Sequence, residues 1–490
     1  MRVLSSLIAL GAITASATAQ KVIPMSFSRA GPQHKGPERR SSTFSQQINN
    51  NLTGGGYFAE VALGTPPQNV TLILDTGSSD VWVLDSKADL CHSMALESKY
   101  GSCLSTYDSA QSSTFQSLDQ EEFSIQYLDG SGASGVYIKD DLHVAGANVK
   151  ALQVGLAQNT TINSGLLGVG FDTNVAASTI YQNIIDTFVN EGLIHTKAYS
   201  LYLNDLDAEI GTILFGGIDT QQFIGALKVV DIQPDPQSKI ISSFTVLLDS
   251  LTVGSGANFL PQAIPVVLDS GTTLTYLPQT VAIEIYSIVH AVDDTLNTGF
   301  VYVNCDIVSS LKNTTFDFQF GGNDGPIVKV PIHELVLDNV SEYVAQGLEL
   351  PALPFAVENT CSFGINGLNG YYLLGDTFLR SAYVVYDLSQ KQIALAQGNL
   401  NATKTNIVEI TTTGIPIVSG VVSQEVSTPT KILGSASEAT ASTGTDALAP
   451  SQSTSDSPAV RVAPAMGWEA TAVTLVAAFC SLTGATFLMF

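Results

Sequence analysis

Short runs of apolar residues, some alternating with polar ones, recur along the chain and predict β-strands. Residues 57–63 alternate apolar and polar positions, whereas residues 70–74 and 264–268 are mainly apolar runs typical of buried strands. Helical periodicity is limited to a few stretches, near residues 179–193 and 281–292. The pattern therefore predicts a mostly β protein with few helices.

Composition and charge narrow the class of protein. Of the 490 residues, 45% are hydrophobic and 13% are charged, which supports a large core rather than a disordered chain. The 20 Lys and Arg against 44 Asp and Glu give a formal charge of −24. This acidic balance argues against a nucleic-acid groove and against binding to anionic lipid headgroups, so no nucleic-acid partner is predicted.

The first 40 residues resemble two processing segments. Residues 1–19 combine Arg2, an apolar run and the small residues Ala17-Thr18-Ala19, which predicts a secretory signal peptide. The alternative, a transmembrane anchor, would need ~20 apolar residues, and this run is shorter. Residues 20–40 are basic and end in Arg39-Arg40. They are predicted to be a pro-segment cut after Arg40, the alternative being an ordinary basic surface pair.

The C-terminal region changes composition twice. Residues 408–466 become rich in Ser, Thr, Ala and Pro, which predicts an O-glycosylated stalk followed by an anchor-signal spacer. Residues 467–490 end in an apolar tail with no basic residue after it, and small residues at 453–457 precede it. This layout predicts a removable glycosylphosphatidylinositol (GPI) anchor signal. A single transmembrane helix is the alternative.

Cysteines and glycosylation sequons are in keeping with secretion. Cys480 lies in the removable tail, and the other four cysteines allow three pairings. We favour Cys91–Cys103 and Cys305–Cys361, because each pair is local to its own half of the chain. Zinc ligation is the alternative, although no C-x-x-C motif or paired histidine accompanies the cysteines. Candidate N-glycosylation sites occur at Asn51, Asn69, Asn159, Asn313, Asn339 and Asn401.

An internal repeat carries the candidate chemistry. Residues 73–79 and 267–273 both read apolar-apolar-Asp-hydroxyl-Gly-hydroxyl-hydroxyl, which places Asp75 and Asp269 where buried strands end. A second echo, x-Leu-Leu-Gly, follows at residues 165–168 and 372–375. The chain is therefore predicted to form two related lobes that each contribute one aspartate to a shared cleft.

Two carboxylates held together have a definite chemistry. Ionising both carboxyl groups is unfavourable because the two negative charges repel. One pKa therefore rises, the other falls, and the pair shares a proton. The ionised partner can take a proton from a water while the protonated partner donates to a carbonyl. This reaction needs neither a metal nor a cofactor, and none is predicted.

These motifs resemble those of the pepsin-like aspartic endopeptidases, and the processing segments are similar to the fungal GPI-anchored, yapsin-type branch. The resemblance covers residues 55–398. It implies a bilobal pepsin-like fold of two related β lobes, here residues 41–235 and 236–407, with a deep active-site cleft between them. It also implies that Asp75 and Asp269 are the catalytic pair.

The resemblance implies further roles near the aspartates. Thr76 and Ser270 would interlock the two active-site loops, Ser78 and Thr272 would hold the outer carboxylate oxygens, and Trp82 would support a flap tyrosine. The supporting set comprises Thr76, Gly77, Ser78, Trp82, Ser270, Gly271 and Thr272.

A hairpin signal follows at residues 125–132, with alternating residues and then a Gly-rich turn. The resemblance makes Tyr127 the flap tyrosine and places Asp129 and Gly130 at the substrate-binding tip. Leu128 departs from the glycine usual in the family. The alternative for Tyr127 is an aromatic residue that packs on its own sheet.

The sequence therefore predicts a monomeric aspartic endopeptidase that passes through the secretory pathway. It would be GPI-anchored at the plasma membrane or cell wall, would act on peptides or proteins, and would prefer basic residues. Two alternatives remain: a non-catalytic GPI-anchored cell-wall glycoprotein, and a secreted or vacuolar protease without an anchor.

Overall fold

The computed structural model describes residues 20–29, 56–208, 210–345 and 347–422. Several predicted features lie outside these residues: the signal peptide, the Arg39-Arg40 site, the Asn51 sequon, the stalk beyond residue 422 and the apolar tail. The first part of the predicted stalk, residues 408–422, is described and differs from the expectation of a stretch without a core, because Val408 pairs with Ile218 and Ile410 is buried.

The first part of the described chain is almost entirely β structure. Its strands are β1 (Ile23–Arg29), β2 (Tyr57–Leu63), β3 (Gln68–Asp75), β4 (Val81–Leu84), β5 (Gln116–Gln126), β6 (Gly132–Val144), β7 (Ala147–Thr160), β8 (Gly165–Gly168), β9 (Ala198–Tyr202), β10 (Ile210–Phe215), β11 (Gly217–Asp219) and β12 (Phe223–Asp231). The strands predicted at residues 57–63 and 70–74 are confirmed.

The second part is also rich in strands, so the predicted mostly β fold class is confirmed. Its strands are β13 (Thr245–Val253), β14 (Ile264–Leu268), β15 (Thr275–Pro278), β16 (Val292–Asp294), β17 (Phe300–Asn304), β18 (Thr315–Phe320), β19 (Ile327–Pro331), β20 (Val336–Asn339), β21 (Thr360–Phe363), β22 (Ile365–Leu368), β23 (Leu373–Leu374), β24 (Ala382–Asp387), β25 (Gln392–Gly398) and β26 (Ile407–Glu409).

Helices are short and lie between the strands. They are α1 (Met94–Tyr100), α2 (Ile184–Asn190), α3 (Gln279–Val289), α4 (Ile307–Ser310), α5 (Ser341–Ala345) and α6 (Asp376–Leu379). Helix α2 is shorter than the periodicity near residues 179–193 predicts. Its start is set by Asn183, whose side chain accepts from the backbone N–H of Ile185 and Asp186 in a capping box.

The two halves of the chain share one sheet. In this 13-stranded sheet the strand order is β12-β25-β24-β9-β10-β1-β2-β3-β8-β4-β7-β6-β5. Strands β24 and β25 come from the end of the chain, yet they pair with β9 and β12 from the first half. A seven-stranded sheet, β19-β18-β13-β14-β23-β15-β22, and a four-stranded sheet, β16-β17-β21-β20, complete the second half. Strands β11 and β26 form a separate pair.

Strand β1 belongs to the segment that the sequence predicts to be a pro-segment. It pairs along its length with β10 and, at its C-terminal end, with β2. Ile23, Met25 and Phe27 are buried, while the residues between them are exposed. This period-2 pattern is that of a strand with one face on the core, so residues 23–29 are an integral part of the shared sheet.

Both favoured disulfides, Cys91–Cys103 and Cys305–Cys361, are present. Asn69, Asn159, Asn313, Asn339 and Asn401 are all exposed. Within the described ranges, none of the helices has the length and apolar character of a membrane span.

Candidate active site

The two sequence echoes lie side by side in the structure. Strand β3, which ends at Asp75, pairs in parallel with β8, so that Asp75 lies opposite Gly168. Strand β14, which leads into Asp269, pairs in parallel with β23, so that Leu268 lies opposite Leu374. Each x-Leu-Leu-Gly motif is therefore the strand that supports its own aspartate loop, which explains why the two motifs recur together.

The two aspartates meet where the loops of the two halves come together. A Cβ atom on Gly77 would lie 2.6 Å from Asp269 Oδ1, and one on Gly271 would collide with the carboxylate of Asp75. Only glycine at these two positions leaves room for the opposite carboxyl group. The repeat therefore brings Asp75 and Asp269 into one site.

Each carboxylate is held by its own loop in the same way. Asp75 Oδ1 accepts from the backbone N–H of Gly77 at 2.7 Å, and Oδ2 accepts from Ser78 Oγ. Asp269 Oδ1 accepts from the N–H of Gly271 at 2.9 Å, and Oδ2 accepts from Thr272 Oγ1 at 2.6 Å. These bonds fix the orientation of both carboxyl groups, which is the role expected for the hydroxyls.

Thr76 and Ser270 tie the two loops together below the carboxylates. Thr76 Oγ1 donates to the carbonyl of Leu268 at 3.0 Å and accepts from the N–H of Ser270 at 2.9 Å. Ser270 Oγ donates to the carbonyl of Leu74 at 2.9 Å and accepts from the N–H of Thr76 at 3.2 Å. All four bonds cross between the two halves.

The environment of the pair shifts its protonation. Burial and the neighbouring charge of Asp269 raise the pKa of Asp75 from 3.8 to about 7, against the opposing effect of the bonds from Ser78 and Gly77. A raised pKa keeps one proton on the pair over the acidic range. The pair then holds one carboxyl that can donate a proton and one carboxylate that can accept one.

A flap lies close to the aspartates. Strands β5 and β6 form its hairpin, and Tyr127 begins the connecting turn. Tyr127 Oη accepts from Trp82 Nε1 at 3.0 Å, and burial together with the charge of Asp75 raises the pKa of Tyr127 well above its ordinary value. The side chain of Tyr127 also packs against the core cluster that contains Trp82 and Phe123. The side chain of Leu128 at the tip is 70% exposed.

The tip of the flap is a tight turn. Gly130 has a left-handed φ of 82°, and its N–H donates to the carbonyl of Tyr127 at 3.0 Å. Asp129 is exposed, and its carboxylate accepts from both the N–H and the hydroxyl of Ser131. Tyr276 on β15, in the second half of the chain, has a pKa raised by burial and by the charge of Asp129.

Sequence reasoning missed the role of Asp80. This buried carboxylate accepts from Tyr137 Oη at 2.7 Å, Tyr181 Oη at 2.6 Å and the N–H of Ala176 at 2.7 Å. Tyr137 lies on β6, so Asp80 connects the base of the flap hairpin to the loop near the active site. The sequence contains a signal for a buried Asp80, because this residue immediately precedes the apolar run that contains Trp82.

A second missed cluster lies behind Asp269. Arg380 Nε donates to the carboxylate of Glu334, and Arg380 Nη2 donates to its carbonyl at 2.6 Å. Asp376 on α6 is also buried, and neither of its carboxylate oxygens has a hydrogen-bond partner among the residues that the structure describes. Burial raises the pKa of Asp376 well above its ordinary value, despite the nearby charge of Arg380. The environment of Asp376 therefore favours its neutral form.

Comparison with known proteins agrees with this geometry. Residues 56–398 match the family described as eukaryotic aspartyl protease. The chain is 37% identical over 388 residues to "Probable aspartic-type endopeptidase opsB" of Aspergillus oryzae, covering 76% of this chain and 74% of the relative. It is 33% identical to "Candidapepsin" of Candida tropicalis, covering 74% of this chain and 84% of the relative.

A solved structure is similar in fold. The crystal structure of an aspartic proteinase from Irpex lacteus superimposes with a TM-score of 0.58 at 19% sequence identity. The superposition covers 79% of this chain and 99% of the Irpex lacteus chain. At this identity the likeness supports the bilobal fold alone. Together with the family match and the relatives, it shows that the chain belongs to the pepsin-like family of eukaryotic aspartyl proteases and is an aspartic-type endopeptidase.

Proposed function

We propose that Asp75 and Asp269 hydrolyse peptide bonds in protein substrates by activating a water molecule held between them. The observation that carries this proposal is the placement of two similarly bonded carboxyl groups in one site, one of them with a raised pKa. Hydrolysis of an internally quenched peptide at acidic pH, blocked by pepstatin, is the expected behaviour of the purified protein. A pepstatin-insensitive activity would overturn the proposal.

In this mechanism the protonated carboxyl donates to the carbonyl oxygen of the scissile bond. The ionised carboxylate takes a proton from the water, whose oxygen then attacks the carbonyl carbon. The tetrahedral intermediate collapses when the leaving nitrogen receives a proton from the pair. The backbone N–H groups of Gly77 and Gly271 and the hydroxyls of Ser78 and Thr272 hold the carboxyl groups in place throughout.

The flap supplies the second part of the site. A hairpin across a cleft suits an extended peptide held by main-chain hydrogen bonds. Tyr127 and the turn at Asp129 and Gly130 would cover the bound peptide and exclude water. The hydrogen bond from Trp82 fixes the position of Tyr127.

A preference for basic residues is supported by charge. Asp129 places an exposed carboxylate at the flap tip, and the chain as a whole is strongly acidic, which favours cationic peptides. We expect Lys- or Arg-containing peptides to be cleaved faster than matched apolar peptides, and Asp129→Asn to reduce this ratio. Faster cleavage of the apolar set by the unmodified protein would contradict the preference.

The protein is further proposed to reach the cell surface and to be held there by a GPI anchor. The layout of residues 1–19, 408–466 and 467–490 supports this route, and a Candida albicans relative is named "Secreted aspartic protease 3". A phospholipase that cuts GPI anchors should release the protein from cells. Retention after complete cleavage of a GPI-anchored control protein would argue for a different attachment.

The proposed pro-segment, residues 20–40, has a structural consequence. Removal after Arg40 would take β1 out of the sheet and expose the edges of β2 and β10 that it covers. N-terminal sequencing of the secreted protein should give a start at Ser41. A start at Gln20 on all molecules would show that β1 is retained and that no cut is made.

A further inference from the structure

A cavity of about 810 Å³ is lined by none of the predicted site residues. Three parts of the chain form it: the segment between β8 and β9, which includes the start of α2, the linker between β12 and β13, and the turn between β24 and β25. Its apolar lining comprises Phe171, Pro234, Ile240, Ile241 and Leu388. A cavity of this size is typical of sites for small ligands or for a few side chains, and is large for a single inorganic ion.

The lining residues Phe171, Asp172 and Thr173 are flanked in sequence by Gly170 and Asn174, which are hydrogen-bonded to the loop that carries Asp75. Asn174 Nδ2 donates to the carbonyl of Gly77 at 3.1 Å, and the N–H of Gly170 donates to the carbonyl of Ser78 at 2.9 Å. On the other side, Thr173 Oγ1 donates to the carbonyl of Ile241 at 2.9 Å and closes the wall. One lining segment of the cavity is therefore continuous with residues that contact the loop of Asp75.

Basic residues surround this cavity in an otherwise acidic protein. Lys197, Lys239 and Lys391 all line it, although the whole chain has only 20 Lys and Arg residues. Asp172 and Asp186 are the acidic residues of the lining, so the local balance is 3 − 2, or +1, on a chain with a formal charge of −24.

The three lysines are not equivalent. Lys197 is paired with Asp186 and lies 3.7 Å from Asp172, so its charge is compensated. Lys239 and Lys391 are exposed, and neither forms an ion pair within the described part of the chain. The nearby Asp235 carboxylate accepts from the backbone N–H groups of Gln237 and Ser238, and these bonds, together with a smaller effect of the Lys239 charge, lower its pKa. Two cations at the rim are therefore available to a ligand.

The backbone at these two lysines is unusual. Lys239 has a φ of 60° and Lys391 a φ of 59°, both in the left-handed region that favours glycine or asparagine. A lysine is disfavoured in this conformation, which five other non-glycine residues of the described chain also adopt. Residues held in left-handed conformations despite this cost are frequent at binding sites.

We propose that this cavity is an exosite that binds an acidic, partly apolar segment of a protein substrate outside the catalytic cleft. The two free lysines would pair with carboxylates, while Ile240, Ile241 and Phe171 would contact apolar side chains between them. The inference rests on the proposed function, because an exosite has meaning only if the chain cleaves proteins. The exosite would recognise acidic sequences, whereas the catalytic cleft is proposed to prefer basic residues.

The test uses peptides with one cleavable core and a flexible Gly-Ser linker to a Glu-Leu-Glu-Leu-Glu tail or to its Gln-Leu-Gln-Leu-Gln counterpart. Each tail is placed in turn on either side of the core. Assays are run near pH 5.5, where glutamate side chains are ionised, and at low ionic strength. We expect KM for the Glu tail to be roughly five- to tenfold lower than for the Gln tail, as expected for two exposed charge pairs.

The variant Lys239→Gln/Lys391→Gln should abolish this difference while leaving kcat and the Gln-tail kinetics unchanged. Lys312→Gln/Lys404→Gln is the matched control, because it removes the same charge from exposed lysines away from the cavity and should retain the difference. Equal KM values for the two tails with the unmodified protein would overturn the exosite. So would a Glu-tail advantage that survives in Lys239→Gln/Lys391→Gln.

A binding measurement separates this inference from the proposed function. Fluorescence anisotropy of the labelled Glu tail alone, without a cleavable core, should report binding that the cavity variant loses and the control variant keeps. If no peptide is cleaved but this binding is seen, the proposed function fails, and the cavity stands as a binding site for acidic peptides. Binding of inorganic phosphate with no binding of the Glu tail would overturn the exosite itself.

Discussion

The indole nitrogen of Trp82 donates a 3.0 Å hydrogen bond to the hydroxyl of Tyr127, which joins strand β4 to the flap. A neutral hydrogen bond contributes about 1 kcal/mol, so Trp82→Phe and Tyr127→Phe should each lower kcat/KM by about fivefold. Because both variants remove the same bond, the double variant should be little worse than either single one. Strictly additive losses in kcat/KM would show that the two residues act separately.

The raised pKa of Asp75 predicts how activity and stability depend on pH. Between its ordinary value of 3.8 and about 7, the folded protein keeps a proton that the unfolded chain has lost. Stability should therefore fall as the pH rises through this window, and activity should decline as the shared proton is lost near pH 7. Urea unfolding at several pH values checks this. Asp75→Asn should show a weaker decline in stability, and an unchanged slope would contradict the account.

The hydroxyl of Ser270 donates to the carbonyl of Leu74 in the other half of the chain, and the residue is only 1% exposed. Ser270→Ala should remove the partner of the Thr76 N–H and of the Leu74 carbonyl, and should cost about 1–3 kcal/mol of the free energy of unfolding. Ser255→Ala, at an exposed position, serves as the control and should change stability by less than about 0.5 kcal/mol. Similar losses of unfolding free energy for both variants would argue against a stabilising role of the Ser270 hydrogen bonds between the two halves.

Arg380 and Glu334 form a buried ion pair behind Asp269. Burial alone would raise the pKa of Glu334, but the charge of Arg380 and the bonds from His333, Arg380 and Leu206 outweigh it and lower the pKa. Arg380→Met should destabilise the fold by about 3–5 kcal/mol, because it leaves a buried carboxylate without its partner. Adding Glu334→Gln should recover part of that loss in thermal unfolding, and a further loss of similar size would contradict this interpretation.

Much of the site could be predicted because its chemistry is local in sequence. The pattern around Asp75 and Asp269 contains the turn glycine and the hydroxyl donors within four residues of each aspartate, so one short motif specifies one half of the site. The duplication then implies the other half. The strands at 57–63 and 264–268 followed from apolar patterning in the same way.

What could not be predicted depends on contacts between distant residues. Glu334 and Arg380 are 46 residues apart, and the sequence around each predicts only an exposed charged residue. Strand β1 carries a clear alternation, but nothing in the sequence shows that β10 is its partner. The lysine-lined cavity is formed by three separate segments, so no single stretch of sequence reveals it.

The most direct test of the central claim is the cleavage rate of Asp269→Asn at acidic pH, with the unmodified protein and its inhibition by pepstatin as references. Asp324→Asn is the matched control, because Asp324 is exposed and lies outside the site. The account predicts that Asp269→Asn folds normally, as judged by its thermal unfolding, and loses at least about 10³-fold in kcat, while Asp324→Asn retains full activity. Cleavage by folded Asp269→Asn at the rate of the unmodified protein would contradict it.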